Sequence, residues 1–192
     1  MKAAVYYQTG GPEVLRYEDL PDPSCGSREV KVDVKAIAVE GGDVLNRAHG
    51  EKPGDAFVVG YTAAGVVVET GAEIDGIKLG DRVTTVSFAG SHAEQRVAPG
   101  FGCWALPDSV SFEQGACFPV TFGTAQDALF EFGRLRQGET VLIQGGAGGV
   151  GVACIQLAKI AGATVIATAS SDARLDALTE FGLDHGINSV SY

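Results

Sequence analysis

The chain has 192 residues, 45% of them apolar and 20% charged, enough to bury a core in one or two globular domains. Its 14 Lys and Arg stand against 24 Asp and Glu, a net charge of -10, which repels nucleic-acid phosphates and anionic lipid and argues against a nucleic-acid partner. No run approaches the roughly 18 uninterrupted apolar residues of a membrane span, and the opening MKAAVYYQTGGPEV turns polar too soon for a secretory signal, so the expected setting is cytoplasmic with no membrane.

From residue 1 to about 117 the texture is that of β structure, short apolar runs separated by Gly, Pro and Asp. Gly10, Gly11 and Pro12 read as a turn between strands 3–7 and 14–17, a hairpin that opens the chain. Residues 29–39 follow, where Val30, Val32, Val34, Ala36 and Ala38 alternate with mostly charged positions as in a half-buried strand. Further strands are expected at 65–70, 82–87 and 93–98. Cys25, Cys103, Cys117 and Cys154 never form a C-x-x-C pair, so neither a zinc knuckle nor a redox motif is signalled.

After Phe118 the period changes. Phe122, Ala125, Leu129 and Phe132 trace one face of a helix over 121–132, with Gly133 where a C-cap glycine would stand. Strand 140–144, helix 150–161, strand 164–168, helix 172–181 and strand 185–188 then give the order βαβαβ, with Gly162 and Gly182 closing the helices. Apolar, β-branched strands in that order suit a parallel sheet covered on both faces.

Gly145, Gly146, Ala147, Gly148, Gly149, Val150 and Gly151 lie between the first of these strands and its helix, where a dinucleotide-binding turn must sit. Gly146, Gly148 and Gly151 satisfy G-x-G-x-x-G, and Gly145, Gly148 and Gly151 satisfy a related spacing; either register serves. Glycines there let the strand turn sharply, let backbone approach a pyrophosphate and let the helix pack on the strand, while the helix N-terminus offers N–H groups to the phosphates. The next strand ends without the Asp or Glu that would hold the ribose 2′-hydroxyl of NAD. Ser170, Ser171 and Arg174 stand there instead and can meet a 2′-phosphate, so NADP(H) is the expected cofactor. Asp172 is expected to cap the following helix, like Ser171.

With these residues in view the chain resembles the medium-chain dehydrogenase/reductase superfamily, in its zinc-free quinone oxidoreductase branch. The opening MKAAVYYQTGGPEVLRYEDLP is similar to the N-terminal hairpin of that branch, and Asp43 with Arg47 is similar to an Asp and Arg kept four residues apart. Gly80-Asp81-Arg82-Val83, Gly90-Ser91-His92-Ala93-Glu94 and the glycine turn complete the likeness. The resemblance implies an α/β chain with a β-rich part: a GroES-like, partly open β-barrel over 1–118 that handles substrate, followed by a truncated Rossmann βαβαβ unit over 119–192 that binds NADP.

The zinc relatives carry a ligand Cys before the Asp near position 43 and G-H-E where this chain has Gly60, Tyr61 and Thr62, so the resemblance implies no metal. His49, His92 and His185 are expected at the surface or in loops. The implied reaction is hydride transfer from NADPH to a quinone or α,β-unsaturated carbonyl, with Asp43, Arg47, Tyr61 and Thr62 near the substrate and Thr124 near the cofactor. Glu40 departs from the branch's Asn, and a carboxylate facing a developing anion would be unhelpful. Rival expectations are a non-catalytic nucleotide-binding fragment and a zinc-type alcohol dehydrogenase relative. In the strand order 3-2-1-4-5-6 strand 140–144 should have a fourth strand beside it. None follows, so the expectation is a fragment, or a homo-oligomer or second chain that completes the sheet.

Overall fold

The computed structural model describes residues 1–51 and 55–191, which fall into two compact units, Met1–Val120 and Thr121–Tyr192.

The first unit is built from antiparallel strands. β1 (Lys2–Tyr6) pairs with β2 (Arg16–Asp19) in the expected hairpin, with Lys2 opposite Asp19. Val14, expected in the second strand, lies instead in a 3-10 turn over Pro12–Val14, where the fixed φ of Pro12 starts the turn. β3 (Glu29–Ile37) is followed by helix α1 (Gly41–His49) and by β4 (Phe57–Val58), which adds to the free side of β1. β5 (Thr62–Thr70), β6 (Arg82–Val86), β7 (Gln95–Pro99) and β8 (Cys103–Ala105) join β3 in a five-stranded sheet of order β7-β3-β5-β6-β8. This curled antiparallel sheet is the GroES-like half-barrel. The alternation read over residues 29–39 places Val30 and Val32 in its core with Val67, Val83 and Cys103; burying such side chains contributes about 1.5–3 kcal/mol each.

Residues 112–117, read with the β texture before them, are helical, and the helix expected from 121 begins at 112. Helix α2 (Phe112–Gln126) contains Gly115 and Pro119, which blur its pattern. Its start has a signal after all: the Gln114 N–H donates to Ser111 Oγ at 3.2 Å and the Ser111 N–H donates to Gln114 Oε1 at 2.9 Å, a capping box. Past Gln126 the chain widens into a π-helical turn over Asp127–Phe132. Its larger period carries Phe132 off the apolar face that Ala125 and Leu129 occupy, leaving it 78% exposed. Gly133 is not a left-handed cap: its φ is -74°, and Arg134 takes the positive φ of 53°. Gly133 is needed because a Cβ would press on the Ala128 carbonyl.

The second unit follows its expected order closely. β9 (Thr140–Ile143), α3 (Gly149–Ile160), β10 (Thr164–Ala169), α4 (Asp172–Leu178) with a 3-10 turn over Thr179–Phe181, and β11 (His185–Asn188) form a parallel sheet of order β11-β10-β9. Ile155, Ala158, Val165, Ala167 and Leu178 make its core. This is half of a doubly wound sheet, in which the crevice beyond the carboxyl ends of the strands is the natural ligand site.

Candidate functional site

At the end of β9 the chain reverses through the glycine turn, and Thr168 near the end of β10 pins it. The Gly145 N–H donates to Thr168 Oγ1 at 3.0 Å, and the Gly146 N–H to the Thr168 carbonyl at 2.8 Å. Gly145 has φ +68°, a conformation that costs other residues about 1–2 kcal/mol. A Cβ on Gly146 would stand 2.7 Å from Ala167 Cβ, and one on Gly151 would collide with the Gly145 carbonyl. A Cβ on Gly148 would meet only the Gly145 carbonyl oxygen, at 3.4 Å. The glycines therefore divide their work: Gly145 bends the strand, Gly146 and Gly151 let turn, strand and helix touch, and Gly148 keeps a pocket wall flat.

That pocket, about 370 Å³, is lined by Gln144, Gly145, Ala147, Gly148, Thr168, Ala169, Ser170, Arg174 and Ser189. Because the Gly148 N–H is bonded to the Gly145 carbonyl at 3.0 Å, the donors that α3 offers an anion are its remaining first-turn N–H groups, which lack partners within the helix. Arg174 Nη1 lies 3.5 Å from Ser170 Oγ at the opposite end. Asp172 is the first residue of α4 rather than its cap, and its carboxylate accepts the Asn188 amide at 2.8 Å. Ser171 is the N-cap by backbone but makes no side-chain capping bond. Of the residues expected here, the structure gathers Gly145, Ala147, Gly148, Ser170 and Arg174 on the pocket wall, buries Gly146 and Gly151 in packing and leaves Thr124 exposed on α2. Sequence reasoning missed Gln144, Thr168, Ala169 and Ser189; Thr168 and Ala169 are legible as the strand residues before the expected cofactor-selecting position.

The second group lies in the first unit. Asp43, in the first turn of α1, is 3% exposed, and its Oδ2 accepts the Glu40 N–H at 2.8 Å. His92 Nε2 stands 3.9 Å from the same Oδ2. The His92 side chain is only 12% exposed, so this histidine is a loop residue but not a surface one. Burial, the larger effect, lowers its pKa against the pull of Asp43. Arg96 is 1% exposed and donates to the Tyr61 carbonyl at 2.9 Å and the Ala89 carbonyl at 3.1 Å. Burial brings its pKa down to about 10. The Tyr61 hydroxyl accepts the Asn46 amide at 2.6 Å, and Thr62 is fully buried. The four expected residues Asp43, Arg47, Tyr61 and Thr62 thus come from α1 and from the chain entering β5, but Arg47 Nε is turned to the Gly10 carbonyl at 3.3 Å. His92 and Arg96 were missed, for no local pattern marks a side chain whose role comes from a distant strand.

Burial also raises the pKa of Glu40, with Asp43 adding to it and the nearby Thr62 hydroxyl opposing. Glu40 Oε1, Asp43 Oδ1, Thr62 Oγ1, Ser91 Oγ, His92 Nε2 and Arg96 Nε are enclosed without hydrogen-bond partners. Each such atom costs about 1–3 kcal/mol when it is left unpaired, and native interiors leave few of them. Among the described residues no group of three or more His, Cys, Asp or Glu is placed to hold a metal ion.

A half-barrel followed by a parallel sheet with a glycine turn is the architecture of alcohol-dehydrogenase-type oxidoreductases. Sequence profiles agree: that of the alcohol dehydrogenase GroES-like domain matches residues 26–122, and that of the zinc-binding dehydrogenase family matches residues 149–191. The chain belongs to the medium-chain dehydrogenase/reductase superfamily, in its quinone oxidoreductase branch. It is 36% identical over 176 residues to a quinone oxidoreductase of Mus musculus, covering 90% of this chain and 53% of that one. A quinone oxidoreductase of Pseudomonas syringae pv. Tomato superposes with a TM-score of 0.91 at 34% identity, covering 97% of this chain and 58% of the other. The Escherichia coli quinone oxidoreductase solved with NADPH superposes with a TM-score of 0.94 at 28% identity, covering 100% and 60%. The chain spans about half the length of the curated relatives it matches.

Proposed function

We propose that this chain belongs to an NADPH-dependent reductase of quinones or α,β-unsaturated carbonyls that works without zinc, the first unit handling substrate and the second holding the dinucleotide. The observation that carries the reading is the glycine-turn pocket, which ends on Ser170 and Arg174 with no acid on its wall. The chain's residues fit the cofactor. The α3 N-terminus meets the pyrophosphate, the flat wall at Gly148 admits it, and the Arg174 guanidinium with the Ser170 hydroxyl takes the 2′-phosphate through charge-assisted hydrogen bonds.

When bound, NADPH supplies the hydride. The side chains around Asp43 and Thr62 have the remaining tasks of placing the acceptor's oxygen and meeting negative charge as it develops there. Tyr61 and Thr62 stand where zinc relatives carry G-H-E, which supports polarisation by hydrogen bonds in place of a metal.

The test is oxidation of NADPH by a simple quinone, followed by absorbance, with a zinc assay on the same sample. Turnover by metal-free protein, faster with NADPH than with NADH, is expected. Binding of NADPH with no turnover by any quinone or enone would favour a nucleotide-binding role, and activity that tracks stoichiometric zinc would favour a zinc-type alcohol dehydrogenase.

A further inference from the structure

Three separate contacts fix Tyr61. Its carbonyl accepts Arg96 Nη1 at 2.9 Å and the Ser87 N–H at 2.9 Å, so the backbone is pinned from β7 and from the residue after β6. Arg96 is itself 1% exposed, a rigid anchor. The Tyr61 ring lies against Gly42 of α1: a Cβ there would stand 2.5 Å from Tyr61 Cε2 and 2.9 Å from the hydroxyl oxygen, so glycine leaves the room that the ring fills. One turn further along the same helix face, Asn46 Nδ2 donates to that oxygen at 2.6 Å.

The direction of that last bond matters. A phenol oxygen accepts hydrogen bonds and donates one proton. Asn46 uses the accepting side, and among the described residues no acceptor is in place for the proton. Packing explains the ring on Gly42 but not this choice: an acceptor at position 46 would hold the ring as well and would consume the proton. Of the four residues expected near a substrate, Asp43 and Thr62 are enclosed and Arg47 Nε is turned to the Gly10 carbonyl. Tyr61 is half-buried. Leu45, three residues on from Gly42 and so on the same face, is 63% exposed, an apolar neighbour for the body of a ligand whose polar atom the hydroxyl holds.

We propose that the Tyr61 hydroxyl is the hydrogen-bond donor to the substrate's carbonyl oxygen, and that Asn46 and Gly42 are the residues that position it. The ligand's class rests on the reductase reading; the direction of the Asn46–Tyr61 bond does not. Where hydride addition gathers negative charge on that oxygen, a donor already fixed at backbone, ring and hydroxyl stabilises it without reorganising.

Infrared difference spectroscopy of the whole cofactor-free chain with carbonyl-labelled acetophenone, at neutral pH, tests this. A bound fraction with a lowered C=O stretch is expected in the wild type and is expected to be lost in Tyr61→Phe. Asn46→Asp keeps the shape and reverses the bond: an ionised Asp only accepts, so Tyr61 donates to it, and the lowered stretch is expected to vanish there too. A purely structural anchor would survive that change. Circular dichroism checks that each variant folds, and if one does not the other decides. No bound signal in the wild type at saturation, or a lowered stretch that persists in either folded variant, would overturn the proposal. A chain with the expected band pattern that fails to oxidise NADPH with any quinone or enone keeps the donor and loses the reductase reading; a chain that turns over without that pattern does the reverse.

Discussion

Arg174 bears the proposed preference for NADPH over NADH. It is exposed, and among the described residues the one side chain within bonding reach of it is Ser170 Oγ at 3.5 Å, so replacing it should leave the fold intact. Arg174→Ala is expected to weaken NADPH binding about tenfold, or 1.4 kcal/mol, with NADH binding unchanged; fluorescence titration of the two cofactors checks this. Equal losses for both would mean that Arg174 does not read the 2′-phosphate. Cys103 gives a second test. It is buried, its thiol is pushed up to about 11 by burial, and reagents attack the thiolate. Thiol labelling at pH 8 should therefore spare Cys103 in the native chain and reach it only in denaturant, as mass spectrometry would report.

At the scale of elements, the turn between β9 and α3 separates shape from stability. Gly148 has room for a side chain on its pocket side, whereas a Cβ on Gly151 would strike backbone. Gly148→Val is expected to abolish cofactor binding with little change in thermal midpoint, and Gly151→Ala to lose binding together with about 1–3 kcal/mol of stability. Denaturant melts beside binding titrations distinguish them. The other side of the same unit carries a pH dependence. Asp184 accepts Lys159 Nζ at 2.6 Å and the Val165 N–H at 2.8 Å, and the Lys159 bond first, then the Val165 bond, lower its pKa. A depressed folded-state pKa contributes stability above the unfolded value, about 4, and loses it as pH falls through the folded one. Thermal midpoints should thus drop below about pH 4, and Asp184→Asn should start lower at pH 7 and decline less.

For the whole molecule the sheet order β11-β10-β9 leaves β9 with one paired neighbour among the described residues. Leu142 on β9 is exposed. An open apolar strand edge is a template for another strand, so the 192-residue chain is expected to associate as its concentration rises, and Leu142→Lys to reduce that association in sedimentation velocity. A wild-type chain that stays monomeric at every concentration would refute this. Among the described residues no helix is long and apolar enough to cross a membrane.

The sequence by itself determined what depends on neighbours along the chain. The alternation at Val30 and Val32, the βαβαβ order of the second unit and the glycine turn are local patterns, and the structure keeps them within a residue or two. Helix 112–120 was also written locally, in Ser111 and Gln114, but Gly115 and Pro119 obscured it. Phe132 was misplaced because a π-turn changes the period, which sequence spacing assumes constant. Only the tertiary structure decided the rest. Asp43, His92 and Arg96 meet because α1, the 91–94 loop and β7 converge, and Thr168 holds the glycine turn because β10 lies beside β9. The burial of Asp43, His92 and Arg96, and with it the lowered pKa of His92 and Arg96, arises from contacts tens of residues apart, which no spacing along the chain encodes.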